Sequence, residues 1–381
     1  MKWEKVAIKD ICTGIYDGPH ATPPLSDTGA IFLGISNFNN GRLDFSDIRY
    51  ISEDDLPKWT KRVIPQKNDI VFSYEATLNL YAIIPEGFRG CLGRRMALLR
   101  VDETKADYKF LYYYFYSDAW RATVNENIVL GATVDRIPLI KFPDFPVELP
   151  PLETQHRIAD ILSAYDDLIE NNQKQIKLLE EAAQRLYKEW FVNLRFPGHE
   201  NTKIVDGVPE EWRKFPLEEI APVVTGKKDA NYGDKGGNYP FFTCSQETIT
   251  APGYSFDTSA VILAGNGDFN VKLYRGKFEA YQRTYVLAPF DHSNLFNLYF
   301  TVQDNMEALA KGASGSTIKF LTKGMLQKIL VLTADKKILD KFNDYEENIQ
   351  QKVEALKKQV EDLTEIRNRL LPKLMSGEVE V

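Results

Sequence analysis

Four histidines, His20, His156, His199 and His292, and three cysteines, Cys12, Cys91 and Cys244, are the side chains here whose spacing would be most diagnostic of chemistry. The histidines show no metal-ligand spacing. The cysteines lie far apart and outside any CxxC pair, so they read as buried small hydrophobes, not as zinc ligands or a disulfide framework. The stretch "GNGDFN" (265 to 270) contains a GxG but lacks the third glycine and the strand-to-helix context of a cofactor loop. In "PDFPVELP" (143 to 150), Asp144 and Glu148 are spaced like nuclease carboxylates, yet Pro150 stands where a lysine is wanted. No Asn-Pro-Pro-aromatic tetrad of an amino-methyltransferase occurs. These residues assemble no catalytic centre, and the chain reads as non-catalytic.

The elements that position the remaining polar residues follow from length and pattern. A chain of 381 residues is too long for one ordinary core. With 44% hydrophobic and 27% charged residues, no run of eighteen apolar residues and no leader in "MKWEKVAIKD", it is expected to be a cytoplasmic globular protein with no membrane partner. After Pro150 and Pro151, about forty residues pass without glycine or proline. Within them Ile158, Leu162, Tyr165, Ile169, Asn172, Ile176, Leu179, Ala183, Leu186 and Trp190 recur at alternating spacings of four and three. That is a heptad seam on a helix about 60 Å long. It suits a coiled-coil partner, the alternative being an amphipathic helix lying on its own domain.

The same pattern returns about 180 residues later. Ile338, Phe342, Tyr345, Ile349, Leu356, Leu363, Ile366 and Leu370 match Ile158, Leu162, Tyr165, Ile169, Ile176, Ala183, Leu186 and Trp190. Asn172 aligns with Lys352, which puts a polar residue mid-seam to fix register. A local stutter, permitted by Val353 and Val360, is the alternative. The segments before the helices also repeat: "WEKVAIKDI" (3 to 11) with "WRKFPLEEI" (212 to 220), "DIVFS" with "AVILA", "RRMALL" with "QRTYVL", and "GATVDRIPLIKF" (131 to 142) with "GASGSTIKFLTK" (312 to 323). Short apolar runs such as "AIFLGI" and "TYVLAPF" predict strands, and 107 to 124 and 295 to 312 predict helices, giving a mixed α+β domain twice over. The order is then domain 1–150, helix 151–192, linker 193–211, domain 212–331 and helix 332–376.

This arrangement resembles the specificity subunit of type I restriction-modification systems over nearly the whole chain, most specifically in "LPPLETQHRIADIL", "LRFPGHEN" and "RNRLLPKLMSGEV". One departure is that the second helix begins "VLTADKKIL", without Pro-Pro. The resemblance implies two target recognition domains, each reading one half of a split double-stranded DNA sequence. It implies that the helices pack antiparallel, fix the spacing and dock two methyltransferase subunits, with restriction/translocase subunits completing the complex. No cofactor is expected in this chain; S-adenosylmethionine, ATP and Mg are expected in the partner subunits. A coiled-coil scaffold whose globular ends bind proteins or glycans is the competing function.

If the two domains read different half-sites, base readers should lie where the copies differ, and shared residues should serve folding or the phosphates. Arg95 and Arg283 are shared, and read as phosphate contacts or framework ion pairs. The candidate base readers in the first domain are His20, Tyr74, Asn79 and Arg136. In the second they are Lys227, Lys228, Asn231, Tyr232, Asn266, Asn270 and Lys319, each set against the alternative of a solvated loop residue. Of the formal charge of −7, helix 152–192 holds five basic and eight acidic residues and helix 335–371 eight and nine. The domains are therefore not basic as a whole, and partners should supply much of the phosphate contact. The isolated chain is expected to bind DNA weakly; nanomolar, salt-resistant binding in a titration of the chain alone would contradict this.

Overall fold

The computed structural model describes residues 3–131, 134–313 and 319–381, so parts of the expected "GATVDRIPLIKF" and "GASGSTIKFLTK" repeat lie outside the described residues. The chain forms two compact units, one of residues 1–172 and 358–381, the other of residues 173–357. Each unit holds one mixed α+β domain and one stretch of each long helix. The expected boundaries gave the helices segments of their own. The division falls inside both helices instead, because helix side chains complete each domain's core.

In the first unit, strand Glu4–Ala7 pairs antiparallel with Pro146–Leu149 and closes the domain beside the start of the central helix, Leu152–Tyr187. A four-stranded sheet runs in the order Cys12–Asp17, Met96–Val101, Ile70–Ser73, Tyr81–Ile83. A second, of three strands, runs Tyr50–Ile51, Ala30–Leu33, Gly90–Leu92. The helix expected over 107 to 124 is two, Tyr108–Tyr114 and Asp118–Asn127. The Asp107 carboxylate accepts the Phe110 N–H (2.7 Å) and the Ser117 hydroxyl accepts the Trp120 N–H (3.2 Å), so Ser117 starts a new helix instead of continuing the old one. Trp120 is fully buried among Phe115, Phe142 and Phe145, and its indole N–H donates to the Tyr81 hydroxyl (2.8 Å). Ile158, Ala159 and Leu162 of the central helix and Leu374 and Met375 of the C-terminal helix, Lys336–Met375, join this core.

The proline-rich entry to the central helix has a local cause. The Gln155 side chain is buried, donates to the Pro150 carbonyl (2.9 Å) and accepts the Asp107 N–H (3.0 Å), which ties the first turn to the cap of helix Tyr108–Tyr114. The C-terminal helix lacks this clasp and instead begins with Asp335, whose carboxylate accepts the Ile338 N–H (3.1 Å). A hairpin, Phe38–Asn39 with Arg42–Leu43, turns through Asn40 and Gly41, both at positive φ. Arg42 pairs with Glu170 and donates to the Asp166 carbonyl (2.7 Å), fixing the hairpin to the central helix.

In the second unit the same strand order forms one six-stranded sheet: Val223–Thr225, Thr284–Leu287, Phe256–Ala264, Val271–Ala280, Tyr239–Phe242, Ile249–Ala251. The long strand Val271–Ala280 stands where the first unit has two short ones, Tyr81–Ile83 and Gly90–Leu92, interrupted at Gly87. Arg213–Pro216 pairs with Leu330–Thr333 as Glu4–Ala7 pairs with Pro146–Leu149. The helix expected over 295 to 312 breaks at Asn305 into Leu295–Asp304 and Met306–Gly312. The linker is packed: the Phe196 ring lies tilted against Trp212 at 4.5 Å, and Asp206 and Gly207 turn a small hairpin. Ala183, Tyr187, Trp190 and Phe191 meet Ile338, Leu339, Phe342, Phe296 and Phe300 in one core.

Within each unit the helix stretches pair antiparallel. Asp166 meets Arg367 and the Asn172 amide donates to Gln359 (3.2 Å) in the first unit. Glu180 meets Lys357 (3.0 Å) and Trp190 packs on Phe342 in the second. On the central helix Ile158, Leu162 and Ile169 are buried and Tyr165, Ile176 and Leu186 half-buried. On the C-terminal helix Ile338, Phe342 and Leu356 are buried and Ile349 half-buried, but Tyr345 and Ile366 are 49% and 47% exposed. Tyr345 still sets its ring edge-on to Trp190 of the central helix (6.0 Å), while one residue later Glu346 is buried and Arg367 half-buried, with Val353 in place of the exposed Lys352. Hydrophobicity alone favours Tyr and Ile over Glu and Arg at these steps. The unbroken four-three spacing from Phe342 to Leu374 passes through Glu346 and Arg367 instead. Asn172 accordingly faces Gln359, not Lys352.

Two equivalent seam positions differ sharply. Asp166 accepts the Tyr113 hydroxyl (2.6 Å) and the Arg367 guanidinium. At the matching places in the second unit, Thr301 and Tyr187 bond to each other (3.0 Å), and Glu346 is fully buried with neither carboxylate oxygen bonded. Burial pushes the Glu346 carboxyl up from 4.5 to about 8. The folded chain therefore holds a proton that the unfolded chain releases, and the stability tied to this group falls as pH rises from about 4.5 to about 8. Glu346→Leu is expected to raise stability at pH 8 by about 1–4 kcal/mol and to flatten the pH dependence. Asp166→Leu, which strands Arg367, should cost about 3–5 kcal/mol. Denaturant melts followed by tryptophan fluorescence between pH 5 and 8 check both; like signs for the two substitutions would refute the contrast.

Candidate nucleic-acid interface

One backbone hydrogen-bond frame recurs in both units. In the first, Gly18 N–H donates to Met96 O (2.8 Å), Gly93 N–H to Leu33 O (2.7 Å), Tyr74 N–H to Arg95 O (3.1 Å) and Ile137 N–H to Tyr74 O (2.8 Å). In the second, Gly226 donates to Thr284 (3.1 Å), Tyr281 to Phe242 (2.9 Å), Gly265 to Arg283 (2.9 Å) and Leu321 to Gly265 (2.8 Å). The isolated bridges Glu75 with Arg136 and Asn266 with Phe320 also correspond. The frame needs glycine at one shared place: a Cβ on Gly18 would lie 2.2 Å from Gly93 O, and one on Gly226 1.9 Å from Ala280 O.

The frame gathers most of the expected contact residues at one edge of each unit. In the first, exposed His20 pairs with Asp17 (3.0 Å) and lies 3.5 Å from the Tyr74 hydroxyl. Arg95 pairs with Glu75 (3.3 Å), and exposed Arg136 bridges the same Glu75 through its backbone. Tyr74 itself is buried, and its hydroxyl donates to Arg94 O (3.0 Å), so its ring supports the loop. Burial, with Asp17 and Glu75 nearby, raises the Tyr74 pKa. Asn79 stands apart in left-handed backbone, its amide oxygen 3.5 Å from the Tyr81 hydroxyl.

In the second unit, Lys228 occupies the place of His20 and lies 4.3 Å over the Tyr232 ring. Lys227 and Asn231 are exposed beside it. Asn266 and Lys319 adjoin Arg283 through the Gly265 hydrogen bond and the Asn266–Phe320 bridge. Asn270 is spent on structure, donating to Asp268 O (2.7 Å) and Cys244 O (3.2 Å). Lys272, which the sequence did not single out, donates to Ser245 O (2.8 Å) 5.8 Å from the Phe242 ring, and burial lowers its pKa. Sequence reasoning also passed over Arg49, Arg94 and Gln282. The last two sit beside Arg95 and Arg283 in the aligned stretches "RRMALL" and "QRTYVL", and their mismatch was the available signal.

What this edge can do is donate and accept hydrogen bonds from arginine, lysine and amide groups to nucleic-acid edges and phosphates. Among the described residues no group of three or more His, Cys, Asp or Glu side chains is placed to hold a metal ion, and no helix is long and apolar enough to cross a membrane.

Known proteins agree with this organisation. A specificity subunit of the EcoDI type I restriction enzyme from Escherichia coli is 37% identical over 176 residues, covering 45% of this chain and 39% of that protein. A putative MjaX type I restriction enzyme specificity subunit from Methanocaldococcus jannaschii is 25% identical over 419 residues, covering 100% of this chain and 94% of its own. A crystal structure of a type I restriction-modification S subunit from M. genitalium shares the fold, with a TM-score of 0.64 at 18% identity over 98% of this chain and 96% of that one. The family model described as "Type I restriction modification DNA specificity domain" matches residues 1–181 and 209–362. Two such domains, each carrying the same frame and followed by a long helix, make this chain a member of the type I restriction-modification specificity-subunit family, a non-catalytic recognition component.

Proposed function

We propose that the chain reads a two-part double-stranded DNA target, one half-site per unit, while its long helices set the gap and dock two methyltransferase subunits. The observation that carries this reading is the repeated backbone frame bearing different side chains: His20, Glu75 and Arg94 in one unit, Lys228, Asn266 and Gln282 at the same places in the other. One fold held by the same hydrogen bonds, with changed donors and acceptors, suits two readers of different sequences. The central helix of 36 residues is about 54 Å long at about 1.5 Å per residue, enough to separate half-sites one helical turn of DNA apart, about 34 Å. A flexible linker would span that gap without rejecting targets of the wrong spacing.

On this reading the chain works in the cytoplasm and carries no cofactor of its own. S-adenosylmethionine serves the methyltransferase partners, and ATP and Mg serve the restriction/translocase partners. Co-expression with the neighbouring genes and mapping of methylated adenines should give a motif of two defined parts with a fixed gap. An intact complex that methylates no motif would sink the proposal and favour a protein- or glycan-binding scaffold.

The spacer role has its own test. One heptad inserted into both helices, after Ile176 and before Leu356, adds about 10 Å, or about three base pairs. It should lengthen the gap or abolish methylation while leaving the half-sequences intact; altered half-sequences would show that the helices do more than set distance.

A further inference from the structure

In the first unit a recess of about 340 Å³ opens beside loop 93–95, with Arg49, Arg94 and Arg95 on its walls and no acidic side chain lining it. Its arginines are held differently. Arg49 lies 5.5 Å from the centroid of the Phe32 ring, and Arg95 is tethered by Glu75. Arg94 is exposed, and among the described residues no hydrogen bond or ion pair engages its guanidinium. Its place is set nonetheless, because the preceding Gly93 donates to Leu33 O and the Arg94 carbonyl accepts the Tyr74 hydroxyl.

The same loop in the second unit carries Gln282 between Tyr281, bonded to Phe242 O, and Arg283, whose carbonyl accepts the Gly265 N–H. Gln282 is exposed, and one of its amide hydrogens is fixed on Asp229 (2.6 Å). That leaves the other N–H and the carbonyl oxygen directed as a donor–acceptor pair.

We propose that positions 94 and 282 are equivalent specificity-determining positions, with Arg94 reading a guanine in the half-site of the first unit and Gln282 an adenine in that of the second. The inference rests on the reading of the units as half-site readers and assigns the bases within it. A phosphate is the same in every sequence, so the residue that is arginine on both frames, Arg95 and Arg283, fits the backbone. A base changes between half-sites, so the neighbouring position that switches from guanidinium to amide fits a base edge. The guanidinium fork matches the two acceptors of guanine, N7 and O6. The amide matches the acceptor and donor of adenine, N7 and N6.

The full-length chain in its methyltransferase complex, selecting from a randomised duplex DNA library, tests this. Arg94→Gln should lose guanine preference at one position of one half-site by about tenfold or more, and Gln282→Arg should move one adenine position of the other half toward guanine. Arg95→Gln should instead weaken binding to all sequences alike and reduce the salt slope by about one. A uniformly weaker Arg94→Gln complex with an unchanged motif would make Arg94 a phosphate contact and overturn the assignment, as would unchanged binding. A wild-type complex that selects no motif would fail earlier, at the half-site reading itself. Both side chains are exposed, so a melting temperature equal to wild type confirms that each variant is folded.

Discussion

In each unit both long helices enter a buried core. Ile158, Leu162 and Leu374 are buried with Phe110 and Trp120 in one unit, and Trp190, Phe342 and Ile338 with Phe296 and Phe300 in the other. Removing these side chains from water is the favourable term that fixes each domain on its own stretch of helix, at about 25 cal/mol per Å² of apolar surface. Polar clasps then set the orientation: Gln155 on the Pro150 carbonyl, Arg42 on Glu170, and Arg275 on Glu347 (2.6 Å) in the second unit. A domain held this way cannot turn about its stretch of helix without opening a core.

The two units solve the same packing problem with different residues. Where the first places Asp166 between Tyr113 and Arg367, the second lets Tyr187 and Thr301 satisfy each other and leaves Glu346 buried without a partner. A buried carboxyl with no partner is kept neutral by its raised pKa, so the seam tolerates it at a cost that grows with pH. Among its described residues the second unit has no counterpart of the hairpin around Arg42 and reaches its helix with Arg275 from the long strand Val271–Ala280. Duplication preserved the topology and the backbone frame while the side chains on both diverged.

The proposed reading of two half-sites rests on that separation of frame from side chain. Four backbone hydrogen bonds need only N–H and C=O groups, plus a glycine where Gly18 and Gly226 pass under a neighbouring loop. Side chains at the edge are then free to vary without disturbing the fold. They differ at 20 and 228, 75 and 266, and 94 and 282, and agree at Arg95 and Arg283.

The duplication, the α+β character of the domains, the two long helices and the family are legible in the sequence, because they rest on periodicity and on stretches such as "LPPLETQHRIADIL" that local patterning makes visible. It also singled out His20, Arg95, Arg136, Lys228 and Arg283, which the fold brings to one edge of each unit. The fold, not the pattern, buries Glu346 and pairs Arg367 with Asp166, while Tyr345 and Ile366 stay about half exposed. A hydrophobic pattern cannot see an ion pair across 201 residues, nor a buried acid that stays protonated. It likewise decided that Tyr74 and Asn270 are occupied within the fold and that Arg94 matches Gln282. Those facts depend on hydrogen bonds between strands distant in sequence, whose register no single stretch of chain specifies.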